Sequence, residues 1–335
     1  MAQNEATGNV QESAEAAASS PPAASPPPDE RALEVDETAD TDSAYNESIG
    51  TASYNGRRYH AYHEGAYVLP NDDEEQDRMD LLNHIYRLTL GGHLHLAPIG
   101  PNPQRVLDIG TGTGIWAIQF AEEYPSAQVI GTDLSPIQPQ WVPPNCTFEI
   151  DDYEQDWLYT RKTDFIHGRE LNGFVADYDR LFRQAFECLK PGGWLEMQTA
   201  AAYFYSDDGT AEQAKYSQVW LQHIREAAEK FGKSFYELPK WKEKMEKAGF
   251  VDVKDVPYKV PIGGWPKDPR LKEIGKYQQI QQIQAVDSYT FALFSRVLGW
   301  SRTEIDVMCA QVRNELKNPN YHMYIMLHFV YGRKP

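Results

Sequence analysis

The stretch "RVLDIGTGTGIWAIQF", Arg105 to Phe120, constrains the fold of this chain more than any other. "RVLDI" has the short apolar run of a buried strand, broken by the acid Asp108. Gly110, Gly112 and Gly114 follow on alternate positions, and a helix-like pattern then runs to Pro125. Strand, glycine turn and helix in that order open an α/β sheet, with the turn at the crevice where such sheets bind ligands. Glycine lets the backbone bend tightly and approach a ligand without a Cβ clash. The helix starting near Ile115 aims its first amides into the same crevice. Two cofactor classes use such a turn. A dinucleotide fingerprint needs G-x-G-x-x-G, but Ile115 stands at its third glycine; the spacing here is G-x-G-x-G.

The alternation continues. "AQVIGTD" reads as a second strand, "CTFEI" as a third after the Pro-rich "SPIQPQWVPPN", and "TDFIHG" as a fourth. "DYDRLFRQAFECL" reads as a helix and "GGWLEMQTA" as a fifth strand. This order predicts right-handed crossovers and a parallel, Rossmann-like α/β sheet with helices on both faces. Upstream, Asn71 is the expected N-cap of a helix carrying Met79, Leu82, Ile85, Tyr86 and Leu90 at helical spacing and stopped by Gly91-Gly92. Downstream, "AEQAKYSQVWLQHIREAAEKFG" and "LPKWKEKMEKAGF" look helical, and "VDVKDVPYKVPI" resembles a strand. A helical block then precedes a final strand, "YHMYIMLHFVYG". That block is either a cap over one end of the sheet or a partner surface. The expected organisation is a tail over 1–50, an N-terminal helical lid segment over 51–103, and a main domain over 104–335 with a C-terminal helical insertion at about 268–318.

Charge is uneven. Residues 1–50 hold eleven Asp/Glu and one Arg, a net of −10 out of the formal −17. Rich in Ala, Ser and Pro as well, that stretch cannot bury enough apolar surface to offset its ordering entropy, so it reads as a disordered tail. No basic start with an apolar core marks a secretory signal, and no later segment has the length and apolarity of a bilayer span. Cys146, Cys188 and Cys309 are far apart and odd in number, which points to a reducing compartment and hence an intracellular, cytoplasmic protein, with a nuclear place implied only by the regulatory reading below. The acidic remainder lacks the basic stripe of a nucleic-acid binder. His60/His63 and His93/His95 lack a further ligand at a defined spacing, so no metal site is expected.

"VLDIGTGTG" resembles motif I of the class I methyltransferases, which bind S-adenosylmethionine (SAM). "VIGTDLS" places Asp133 at the end of the second strand, "FEIDD" places Asp152 after the third, and "LKPGGWLEM" is similar to that fold's turn and fifth strand. Beyond the generic fold, "NGRRYHAY", "LPNDDEEQDRMDLL", "DLSPIQPQWVPPNCTFEIDD" and "LKPGGWLEMQ" together resemble the fungal LaeA-like methyltransferases, over roughly Tyr54 to Pro335 and most strongly through Thr199.

The resemblance implies a SAM site at Asp108, Gly110, Thr111, Gly112, Gly114, Asp133, Leu134, Asp152 and Tyr153. Asp108 would favour the ammonium of the amino-acid end, Asp133 both ribose hydroxyls, and Asp152 the exocyclic amine; Leu134 would pack on adenine, beside the Tyr153 amide. Each acid also has a plainer reading, as a turn cap or a solvated loop acid. The carboxyl end of the fourth strand, "IHGRE", faces the reactive methyl. His167 is there a candidate base or a structural histidine, and Arg169 a grip for an acceptor's carboxylate or a partner of Glu170. Tyr59, Tyr62 and Tyr67, with Arg57 and Arg58, form a candidate lid. Trp141 is a candidate anchor for the Pro-rich loop.

Three functions follow. The first is a SAM-dependent methyltransferase linked to fungal secondary metabolism, acting on a small molecule or a protein. The second is a SAM-binding regulatory subunit acting through protein partners. The third, least favoured, is an NAD-dependent oxidoreductase, against which Ile115 and the "LKPGG" turn both weigh.

Overall fold

A computed structural model describes residues 51–54, 56–60 and 68–335. The acidic tail, Tyr62, Tyr67 and His63 lie outside the described residues.

A two-stranded antiparallel hairpin, β1 (Thr51–Tyr54) and β2 (Arg57–His60), leads toward α1 (Asp73–Thr89). The expected N-cap moves by one residue. Asp72, not Asn71, caps α1, its carboxylate accepting from Glu75 N at 3.1 Å and held from behind by Arg57. Asp outranks its neighbours here because a charged acceptor also meets the positive end of the helix dipole.

The main sheet has seven strands: β3 (Arg105–Ile109), β4 (Gln128–Asp133), β5 (Cys146–Ile150), β6 (Thr163–Arg169), β7 (Leu189–Ala200), β8 (Val251–Pro261) and β9 (Tyr324–Arg333). Their order is β5-β4-β3-β6-β7-β9-β8. Strands β3 to β7 pair parallel, as expected, but β9 runs antiparallel between β7 and β8. The sheet is therefore mixed. The order switches at β3, whose neighbours are β4 and β6, so the glycine turn sits at the crevice predicted for such a switch point.

Helices cover both faces. On one side, α2 (Ile115–Glu123) packs Trp116, Ala117 and Phe120 against Val106, Val129 and Phe165. On the other, α3 (Tyr178–Cys188) and the short α5 (Trp241–Lys247) pack Tyr178, Phe182 and Trp241 against Leu107, Ile166 and Leu195. The third core joins α1 to α4 (Lys215–Phe231), α6 (Pro269–Ala292) and α7 (Arg302–Leu316), around Tyr86, Trp220 and Phe294.

The helical block between β8 and β9 is a cap. Helix α6 starts at the N-cap Asp268 with Pro269 in its first turn, and α7 starts with a Ser301–Glu304 capping box. Helix α6 lies on α1 through the edge-on rings of His84 and Tyr277, 5.0 Å apart, and through a hydrogen bond from Ser288 to Glu75. No helix among the described residues is long and apolar enough to cross a membrane.

Candidate active site

The register of β3, β6 and β7 builds a polar row beneath the glycine turn. Asp108 stands opposite His167, and His167 opposite Glu196, so the three side chains share one face of the sheet. His167 Nδ1 lies 2.7 Å from Asp108 Oδ1, and the Thr111 hydroxyl donates to Asp108 Oδ2 at 2.5 Å. His167 is only 1% exposed; its ring stacks on Trp116 at 3.7 Å between centroids, 4° from parallel. Burial holds its pKa below the ordinary histidine value against the opposing pull of Asp108. This geometry suits a neutral imidazole that orients Asp108, more than a base exchanging protons with a ligand.

Glu196 is fully buried and accepts from the Leu96 and Ala97 amides and from Gln198. Burial pushes its pKa up to about 7 despite those donors. The folded protein therefore binds a proton between pH 4.5 and about 7 that the unfolded chain has lost, so this group's contribution to stability falls as pH rises across that window. Comparing urea unfolding of the wild type and Glu196→Gln along this window should show their difference in stability change by about 3 kcal/mol. A constant difference would contradict the raised pKa.

Above this row the turn opens. Gly110, Gly112 and Gly114 all take positive φ, at 63°, 58° and 79°. Asp133, at the tip of β4, ties the turn to its neighbour: Oδ2 accepts from Gly112 N at 2.8 Å and Oδ1 from Ser135 N at 2.9 Å. The Pro-rich loop is anchored to the same turn by Gln138, whose amide donates to Gly112 O and Ser135 O. Trp141 does not anchor it. That side chain is 93% exposed, because the loop's polar contacts, not its indole, meet the body of the protein.

A cleft of about 1070 Å³ follows. Asp108, Gly110, Thr111, Gly112, Asp133, Leu134, Tyr153, His167 and Arg169 all line it. Two expected residues do not. Gly114 faces inward, where a Cβ would come within 2.3 Å of the Phe148 ring, so its glycine serves packing. Asp152 is buried in its own turn, accepting from Glu154 N at 2.9 Å. The closing wall, invisible in the local motifs, comes from α1 and α6: Met79, Asn83 and Tyr289. Met79 Sδ would lie 3.2 Å from a Cβ on Gly112, so the lid segment rests directly on the turn.

Arg169 is not paired with Glu170 by hydrogen bond. Its Nε donates to Gln198 and one terminal nitrogen to Asn83 at 2.7 Å, and its guanidinium lies 4.5 Å from the centre of the Tyr86 ring. The other terminal nitrogen is buried without a hydrogen-bond partner among the described residues. A cleft-lining guanidinium with an unused donor, an acid at each of two strand tips and bare backbone between them fit a cofactor that carries a carboxylate, an ammonium and a ribose diol. His95 of the His93/His95 pair bonds instead to Ala97 O and the Tyr124 hydroxyl.

Comparison with known proteins agrees. A family model described as a methyltransferase domain matches residues 82–255. The chain is 40% identical to methyltransferase pytC of Aspergillus terreus, over 90% of this chain and 96% of that one. It is 34% identical to the secondary metabolism regulator LAE1 of Cochliobolus heterostrophus, over 84% and 94% of the two chains. This chain is a LaeA-like SAM-dependent methyltransferase. The methyltransferase is also 36% identical to the probable methyltransferase tdiE of Emericella nidulans, over 78% of this chain and 83% of that one. SAM is its cofactor. Sequence reasoning missed Gln138, Met79 and Asn83 as residues that shape the site of this methyltransferase; the loop length and the helical spacing of α1 signalled their segments but not their contacts.

Proposed function

We propose that this methyltransferase acts on a small molecule of fungal secondary metabolism, inside the cell. The observation that carries the reading is the apolar space beside the cofactor cleft, walled by α4 and α6 and sharing Leu82, Glu170 and Tyr289 with the cleft. A pocket lined by apolar and aromatic side chains from several elements suits a small apolar acceptor. The named functions of pytC and tdiE as methyltransferases and of LAE1 as a secondary metabolism regulator support the setting.

Bound SAM supplies a methyl group on a sulfonium sulfur, transferred by in-line displacement. The chain's own work is then positioning and exclusion of water, and good orientation alone can supply on the order of 7–11 kcal/mol. Asp133 keeps a lone pair on each oxygen for the ribose hydroxyls after binding Gly112 N and Ser135 N. Asp108, oriented by His167, would hold the ammonium, and the unused Arg169 donor the carboxylate. Leu134 and Tyr153 supply apolar walls. Incubating the protein with methyl-labelled SAM and fungal extract should put label in the small-molecule fraction. Label confined to protein would refute this reading.

A further inference from the structure

Glu170, the residue after β6, takes a backbone conformation that residues with side chains rarely adopt. Its φ is +57°, in the left-handed region, yet it is neither glycine nor asparagine. Such strain persists only where the surroundings over-determine it, and it concentrates at functional sites. Here Glu170 N donates to Gln198 O, while the Tyr86 hydroxyl and Ala200 N both donate to Oε1. These three bonds lock the backbone and one oxygen in place, and leave Oε2 without a hydrogen-bond partner among the described residues. The carboxylate sits in the wall common to the cofactor cleft and the adjoining cavity of about 610 Å³.

That cavity has a consistent chemistry. Its body is apolar and aromatic, with Phe204, Trp220, Phe235 and Ala285 among its walls. Among the described residues, Glu170 is the one charged group lining it. Its lining also includes a cluster of neutral amides: Gln278, 1% exposed, donates from Nε2 to Gln281 and Gln282 at 3.1 Å each. The Gln278 carbonyl oxygen is buried with no hydrogen-bond partner among the described residues. A buried acceptor left unmade costs free energy that a ligand's donor can recover. No cation among the described residues lines the cavity to hold a carboxylate or phosphate, and an ammonium would pair with Glu170 and lack the lone pair a nucleophile needs.

We propose that this cavity is the acceptor site, that it takes an apolar ring compound carrying a hydroxyl group, and that Glu170 is the general base for that hydroxyl. The assignment rests on the SAM-dependent reading of the neighbouring cleft. The acceptor's O–H proton passes to Glu170 Oε2 as its oxygen lone pair forms the new bond to the methyl carbon. The methyl's bond to sulfur breaks with its electron pair going to sulfur. The products are a methyl ether, the neutral thioether and a protonated Glu170, which returns its proton to water. A second hydroxyl or amide N–H on the acceptor donates to the Gln278 oxygen.

Calorimetry separates the parts, with 2-naphthol as the probe. Titration of the wild type with SAM comes first, and silence there would sink the cofactor reading. Normal SAM binding with no naphthol binding to the SAM-loaded protein would overturn the acceptor site alone. The expected result is naphthol binding that Ala285→Trp weakens by about tenfold or more through overpacking, with SAM affinity retained as the check on folding. Gln278→Leu should weaken binding of 2,7-dihydroxynaphthalene, which has a second hydroxyl to donate to the Gln278 oxygen, by about fivefold for one lost hydrogen bond, and leave 2-naphthol binding unchanged. Equal naphthol binding in the wild type and Ala285→Trp, or equal dihydroxynaphthalene binding in the wild type and Gln278→Leu, would overturn the proposal. Glu170→Gln should bind naphthol like the wild type while methyl transfer to it falls on the order of a hundredfold or more. Unchanged transfer in that variant, or no transfer by the wild type, would remove Glu170 as base.

Discussion

Asp133→Ala is expected to weaken SAM binding by about a hundredfold or more, from the loss of at least two hydrogen bonds to a charged acceptor at about 1.5–3 kcal/mol each. The carboxylate does two jobs at once. It holds Gly112 N and Ser135 N, which set the shape of the turn and of the loop after β4, and it presents its remaining lone pairs to the cleft. Burial raises its pKa while the Gly112 and Ser135 amides pull it down, so the cost of keeping it charged is partly met by the turn it organises. Asp133→Asn keeps the shape and one acceptor oxygen, and should fall between the two. Calorimetry with SAM reads both variants, and NAD serves as the control ligand. Wild-type SAM affinity in Asp133→Ala would remove this residue from the site.

The second large effect is on stability. Asp108 is 2% exposed and carries two partners, so Asp108→Ala leaves the His167 Nδ1 and the Thr111 hydroxyl buried without an acceptor. A buried donor left without an acceptor costs about 1–3 kcal/mol, so the two stranded here should cost about 2–6 kcal/mol, and urea unfolding should show a loss in that range. Adding His167→Phe should recover part of it, because the second change removes the stranded polar group and keeps a ring to stack on Trp116. Additive losses in the double variant would show that Asp108 and His167 are not coupled.

Local signals carried the central unit. The spacing of Gly110, Gly112 and Gly114 demands positive φ, and the apolar run before it demands a buried strand; both are properties of a few adjacent residues, and both appear in the structure. Acids at strand tips were legible for the same reason, and Asp108 and Asp133 do line the cleft. Asp152 was not, because which way a loop acid turns depends on whether its own backbone offers a nearer donor, here Glu154 N. The direction of β9 was likewise hidden: side-chain period is the same in parallel and antiparallel strands, and only the path of the chain through α6 and α7 reverses it.

By itself, then, the amino-acid order determined the α/β architecture, the glycine turn and the family, since each is written in short-range spacing. Only the tertiary structure decided that α6 caps the site and that Glu170 stands between two cavities. The walls of the second cavity come from α1, from Glu170 just after β6, from the end of β7 and the chain after it, and from α4, α6 and β9, segments far apart in the chain. Close packing of their side chains, which no local pattern encodes, defines the space that is left.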